Sequence, residues 1–184
     1  MSAKNANSAT LGNYPSKVAL EPALGRTDVE RASDCELVVR RVFRARPQTV
    51  FDAMTKPEYL KQWWAPCSLG VKLLECDADV RVGGRYRYVF GKQGEPAMAF
   101  SGVYREVVPG TRVVYTQLFE PMPQAGEGII TATYEPHRDG TLFTQRELFP
   151  SKEVLDGVIA SGMEHGMRET LEQLAEVVQQ LEAA

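Results

Sequence analysis

Few residues in this chain have the chemistry to move a proton or attack a substrate. There are two histidines, His137 and His165, and three cysteines, Cys35, Cys67 and Cys76. His137 sits in the turn-like stretch HRDG and His165 stands between Glu164 and Gly166 on a helical stretch, so both read as solvent-facing. Neither pairs with a serine or cysteine in a nucleophile signature, which leaves triad chemistry without support. The cysteines are odd in number and form no C-x-x-C pair, so a zinc site is not expected and they read as reduced small hydrophobes. No metal and no cofactor is called for. One carboxylate remains as a catalytic candidate: Glu147 acts as a general base if its strand turns it into an apolar pocket that raises its pKa. Otherwise it is an ordinary surface or salt-bridged carboxylate.

Binding chemistry has more candidates. In the run GRYRYVF, strict alternation puts Tyr86, Tyr88 and Phe90 on one face and Arg85 and Arg87 on the other. By the same rule Val113, Tyr115, Gln117 and Phe119 lie together, as do Ile130, Ala132 and Tyr134. Phe100 belongs with the aromatic set. The frame of the last strand stays open: with Phe143 inward, Gln145 and Glu147 are inward too; with Leu142 inward, they face water. On the C-terminal helical stretch, Met163 and Met167 stand beside Gly162 and Gly166, a small-x-x-x-small pattern with adaptable thioethers next to it. These residues describe a mostly apolar pocket in which Tyr86, Tyr88, Tyr115 and Gln117, joined by Gln145 and Glu147 if the last strand turns them inward, orient a small hydrophobic molecule. The competing reading is a solid core. Trp63 and Trp64 are adjacent and helical, so they diverge: Trp63, four residues from Tyr59, is expected to close the core, and Trp64 to line the pocket mouth.

The elements that must position these residues follow from periodicity and turn chemistry. Residues 1–34 show neither period and read as an irregular arm, with Val18, Leu20 and Leu24 free to pack on the domain surface. The ordered domain, residues 35–184, opens with the strand CELVVRRVF. Pro47 and Pro57 then start two short helices, QTVFDAM and EYLKQWW. Six strand-like runs follow, separated by Gly83-Gly84, Gly91 to Gly94, Pro109-Gly110, the loop Pro121 to Gly128, and Asp139-Gly140, which predicts an antiparallel meander. Ser151 caps one long amphipathic helix running nearly to the end, with Leu155, Ile159, Met163, Met167, Leu171, Leu174, Val178 and Leu181 on its apolar stripe. The fold class is therefore α+β: a curled antiparallel sheet of about seven strands around a long C-terminal helix, with two short helices between the first and second strands.

Of 184 residues 43% are hydrophobic and 24% charged, with a net charge of −3, which suits one globular domain and offers no basic excess for nucleic acid. No apolar run reaches membrane-spanning length, and a cytoplasmic protein is expected. An open edge of the sheet can pair with a second copy, so a homodimer is compatible with the pattern.

Several positions together resemble a known family. They are Pro47 with VFDAMT, Pro57-Glu58-Tyr59-Leu60 leading to Trp63-Trp64 and Pro66, and Asp79 with Arg81 and Gly83-Gly84. Ser101 to Val107 with Pro109, and Asp139-Gly140-Thr141, continue the likeness. From Leu37 to Leu174 the chain is similar to single-domain relatives of the C-terminal domain of the activator of the heat-shock-protein-90 ATPase, within the helix-grip superfamily of START domains, polyketide cyclases and birch-pollen allergens. The resemblance implies the helix-grip fold and a small hydrophobic ligand held between sheet and C-terminal helix. It also implies two alternatives, a pocket-based cyclase or hydrolase and a co-chaperone that stimulates the ATPase. Fold likeness does not choose among these functions.

Overall fold

The computed structural model describes residues 22–183. Eight strands form one antiparallel sheet in the order β1-β2-β8-β7-β6-β5-β4-β3. They are β1 (Thr27–Arg31), β2 (Glu36–Phe43), β3 (Lys72–Ala78), β4 (Arg85–Gly91), β5 (Met98–Val108), β6 (Arg112–Phe119), β7 (Gly128–His137) and β8 (Gly140–Leu148). β3 to β8 are the six-strand meander that the turn spacing predicts, and β2 closes it by pairing with β8. Register shifts at Leu73/Glu75 and Tyr104/Glu106 mark bulges, which bend strands and increase their twist.

Helices α1 (Pro47–Thr55) and α2 (Pro57–Trp63) each carry proline in the first turn, where its missing N–H costs nothing. Lys56 is extended, as the residue before a proline is driven to be, so two helices form rather than one. Val50, Phe51, Ala53, Leu60 and Trp63 point from this pair into the core. There they meet Phe43, Tyr134 and Phe143 from the sheet and Leu171, Leu174, Val177 and Val178 from the last helix.

Two expectations are corrected. First, the sheet has an eighth strand inside the stretch read as an irregular arm: Thr27–Arg31 pairs antiparallel with β2. Its sequence, TDVER, is polar because it is an edge strand, so hydrophobic alternation does not reveal it. Residues 1–21, with Val18 and Leu20, lie outside the described residues, and Leu24 is exposed. Second, the long C-terminal helix is present as α4 (Met163–Ala183) but does not begin at Ser151: the stretch after Ser151 is a separate helix, α3 (Lys152–Ala160). Gly162 adopts φ 77° and donates its N–H to Ile159 O at 3.1 Å, a left-handed helix end that glycine reaches without a Cβ penalty. Ser151 does cap α3, accepting from the Val154 N–H at 3.3 Å.

β1 is tied to α4 by charge. Arg41 on β2 is 2% exposed; its guanidinium donates to both carboxylate oxygens of Glu172 at 2.9 and 2.8 Å and to Thr27 Oγ1 at 2.7 Å. Arg41 Nε has no partner. Arg168, one turn earlier on α4, donates to the Thr27 carbonyl. Arg41 holds the Glu172 carboxyl below its ordinary value near 4.5. A carboxylate with a lowered folded pKa adds stability that is complete above its unfolded value and disappears as pH falls through the folded one.

Glu172→Ala strands the buried guanidinium and is expected to cost about 2 kcal/mol, less than the roughly 3–5 of a fully buried pair because solvent reaches Glu172. Urea unfolding at pH 7 reads the cost, and the loss of stability below about pH 4.5 should be shallower in the variant. Gly162→Ala must hold alanine in the left-handed region and is expected to cost about 1–2 kcal/mol by the same measurement.

Candidate functional site

The space between the sheet and the C-terminal helices is not uniform. At the α1–α2 end it is nearly filled. Tyr86, Tyr88, Tyr104, Tyr115 and Tyr134 converge there with Met54 and Leu60 around a gap of about 50 Å³, room for a water or two and no more. Gly102 makes this packing feasible: a Cβ there would lie 2.7 Å from the Tyr86 ring and 1.8 Å from Thr116 O. The Tyr86 ring instead lies close against the bare backbone and its hydroxyl donates to Thr116 O at 2.9 Å. Burial pushes the phenols of Tyr86, Tyr88, Tyr115 and Tyr134 up, which keeps them protonated.

At the other end a cavity of about 750 Å³ opens beneath α3. Its floor is the sheet: Met98 and Phe100 from β5, Gln117 and Phe119 from β6, Ile130 from β7 and Glu147 from β8. Its roof is α3, through Val154, Gly157 and Val158, with Ser161 just past its end and Met163 at the start of α4. Small residues leave the room, since Ala125, Gly126 and Gly128 line one side and a Cβ on Gly157 would meet nothing within 4 Å. Aromatic rings lead in from the residue after α2: the ring centroids of Trp64 and Phe90 are 5.2 Å apart, those of the stacked Phe90 and Phe100 5.3 Å, and those of Phe100 and Phe119 5.1 Å.

The last strand's frame is settled by Phe143, which is fully buried, so Gln145 and Glu147 face inward. Glu147 is 5% exposed and accepts a hydrogen bond from Gln145 Nε2 at 2.6 Å. Burial pushes its carboxyl up, and the Gln145 bond opposes this only in part. Glu147 is therefore not the surface carboxylate of the simpler expectation.

Of the residues expected to bind a ligand, Phe100, Gln117 and Met163 line the cavity, and Gln145 bonds to Glu147 in its floor. Tyr86, Tyr88 and Tyr115 surround the small gap instead, with Trp64 beside them. Trp63 is in the core, 6% exposed, its indole N–H donating to Ala53 O at 2.9 Å, as its position four residues from Tyr59 predicts. Met167 packs against the core. Phe119 and Ile130 were legible from strand alternation as face mates of Gln117 and Ala132. Val154 and Val158 were not: the apolar stripe drawn through Leu155 and Ile159 assumes one continuous helix, whereas Leu155 is fully buried and Ile159 is 43% exposed.

His165 is exposed, as its neighbours on the helix suggest, but the His137 side chain is only 9% exposed. Among the described residues no group of three or more His, Cys, Asp or Glu is placed to hold a metal, and no helix is long and apolar enough to cross a membrane.

This architecture recurs in solved structures. A Rhodobacter sphaeroides protein superposes with a TM-score of 0.77 at 25% identity, covering 85% of this chain and 100% of its own. A Chromobacterium violaceum protein is 30% identical, with a TM-score of 0.66 over 78% of this chain and 97% of its own. A Nitrosomonas europaea protein at 22% identity and TM-score 0.73 shares the fold. No curated protein matches. Residues 44–179 match the family described as Activator of Hsp90 ATPase homolog 1-like protein. Since that match runs from the end of β2 through α1 and α2, the meander and most of α4, the chain belongs to the Activator of Hsp90 ATPase homolog 1-like family.

Proposed function

We propose that the protein binds a small apolar molecule in the cavity beneath α3. One observation carries the reading: about 750 Å³ of space walled chiefly by Met, Phe, Ile and Val side chains, with Gln117 and Glu147 as inward polar groups. Ligand pockets are of this size and makeup, apolar for affinity with a few polar groups for orientation. The ligand would lie between the sheet and α3 rather than along α4, whose apolar stripe is consumed by the core. A cytoplasmic protein and a homodimer through a sheet edge are compatible with this reading and are not needed for it.

A second reading is favoured by Glu147. A buried carboxyl with a raised pKa in a cavity wall is equipped to take or give a proton, as an enzyme of the cyclase or hydrolase kind requires. Stimulation of an Hsp90 ATPase rests on the family's description alone.

A thermal-shift screen of apolar metabolites, lipids and aromatic polyketides tests the binding reading. A ligand at a hundredfold excess over its Kd adds about 2.7 kcal/mol, a rise of roughly 5–10 °C in Tm for a chain of this size. Gly157→Leu, which builds a side chain into the cavity and favours the helix, should keep the basal Tm and remove the ligand-induced rise. A ligand shift that survives in this variant would place binding elsewhere.

The raised pKa of Glu147 has its own signature. The folded state holds this proton to higher pH than the unfolded chain does, so stability falls as pH rises from about 4.5 toward the folded pKa, then levels off. Glu147→Gln should flatten that limb and leave the protein more stable than wild type at neutral pH. Denaturation across pH 4.5–8 checks it, and an unchanged slope would show that Glu147 ionises as freely folded as unfolded.

A further inference from the structure

We infer that the ligand this cavity selects carries a basic amine on an apolar body, with its ammonium group paired to Glu147. The inference rests on the cavity being a ligand site. Two charged side chains line the cavity, Glu147 in the floor and Glu153 on α3, and both are acidic; among the described residues no lysine, arginine or histidine joins them.

The groups facing Glu147 can be named from every side. Along β8, Gln145 donates to it at 2.6 Å. In register on either side stand Leu37 of β2 and Ile130 of β7, which bring no charge. From β6, Gln117 shares the cavity wall and the buried Tyr115 phenol lies within electrostatic reach. From α3, Glu153 reaches the cavity rim but is exposed to solvent. A buried carboxylate is costly without a cation, and none of the described residues at the cavity wall supplies one. Burial accordingly pushes the Glu147 carboxyl up.

Ligand classes separate on this arrangement. An apolar carboxylate, such as a fatty acid, would set its negative charge beside Glu147 with no cationic side chain among the described wall residues to offset it. A neutral alcohol gains one hydrogen bond. A protonated amine supplies the missing counter-charge, and its apolar body packs on Phe100 and Phe119 in the same floor. The amine is therefore favoured by the site's charge and the acid rejected by it.

Isothermal titration at pH 7.5 with phenylbutylamine, phenylbutanol and phenylbutanoate, which share one apolar body, tests this. Wild type is expected to bind the amine about tenfold more tightly than the alcohol, and the alcohol about tenfold more tightly than the acid. Glu147→Gln should bring amine and alcohol to within about threefold by weakening amine binding, and Glu153→Gln, at a solvent-exposed position, should leave the ranking intact. Alcohol binding without an amine advantage, or a preference for the acid, overturns the amine inference and leaves the cavity reading standing. No heat from any of the three at about 1 mM overturns both. The wild-type ranking decides the matter if Glu147→Gln does not fold.

Discussion

The left-handed turn at Gly162 divides one apolar stripe between two helices with different roles. Downstream, α4 places Leu171, Leu174, Val177 and Val178 against the sheet and the α1–α2 pair, and this is the core. Upstream, α3 leaves that line, anchored by fully buried Leu155, and its Val154–Val158 face spans the sheet without filling the space beneath. A helix continuing straight through residue 162 could not hold both directions, because residues three and four apart keep one face along a single axis. The core and the cavity are thus consequences of one backbone conformation.

β1 secures the arrangement. At its start, Thr27 receives Arg41 and Arg168, which binds it to α4. At its end, Arg31 reaches Asp156 of α3 at 2.6 Å. The exposed Arg31 pair is worth little alone, whereas Arg41 is buried and depends on Glu172 and Thr27 for its hydrogen bonds. One short polar edge strand therefore touches both halves of the divided helix. The 3-10 turn Cys67–Leu69 is held to α4 from the other side, where Gln173 donates to the carbonyls of Trp63 and Ala65 and Glu169 accepts from Ser68.

The sheet's inward face shows two ways to treat an aromatic set. Tyr86, Tyr88, Tyr104, Tyr115 and Tyr134 close on one another and leave almost no space, while Phe100 and Phe119 open onto the cavity. What separates them is what lies opposite: the α1–α2 helices, with Leu60, Met54 and Trp63, or the stand-off of α3. Tyrosines look like pocket residues because they carry a polar handle. Here Tyr86 satisfies its hydroxyl on a backbone carbonyl over Gly102.

Much was legible in the sequence. Prolines 47 and 57 start their helices because φ is preset and no donor is lost. Strand alternation assigned the inward faces of β4, β6 and β7, and Trp63 its place in the core, since these patterns are local and periodic. Three features were not legible. TDVER is an edge strand of mostly polar residues, one of them Thr27 turned onto buried Arg41, so it carries no hydrophobic alternation. Gly162 inside a 3.6-residue pattern reads as a tolerated helical glycine until its φ is known. The frame of β8 depends on which of two apolar neighbours, Leu142 or Phe143, meets the core. Periodicity thus determined the elements and their faces, because side-chain direction follows from backbone geometry a few residues at a time. Which faces meet, and where a volume remains unfilled with Glu147 in its wall, was decided only when distant elements packed, because a cavity belongs to no single segment of the chain.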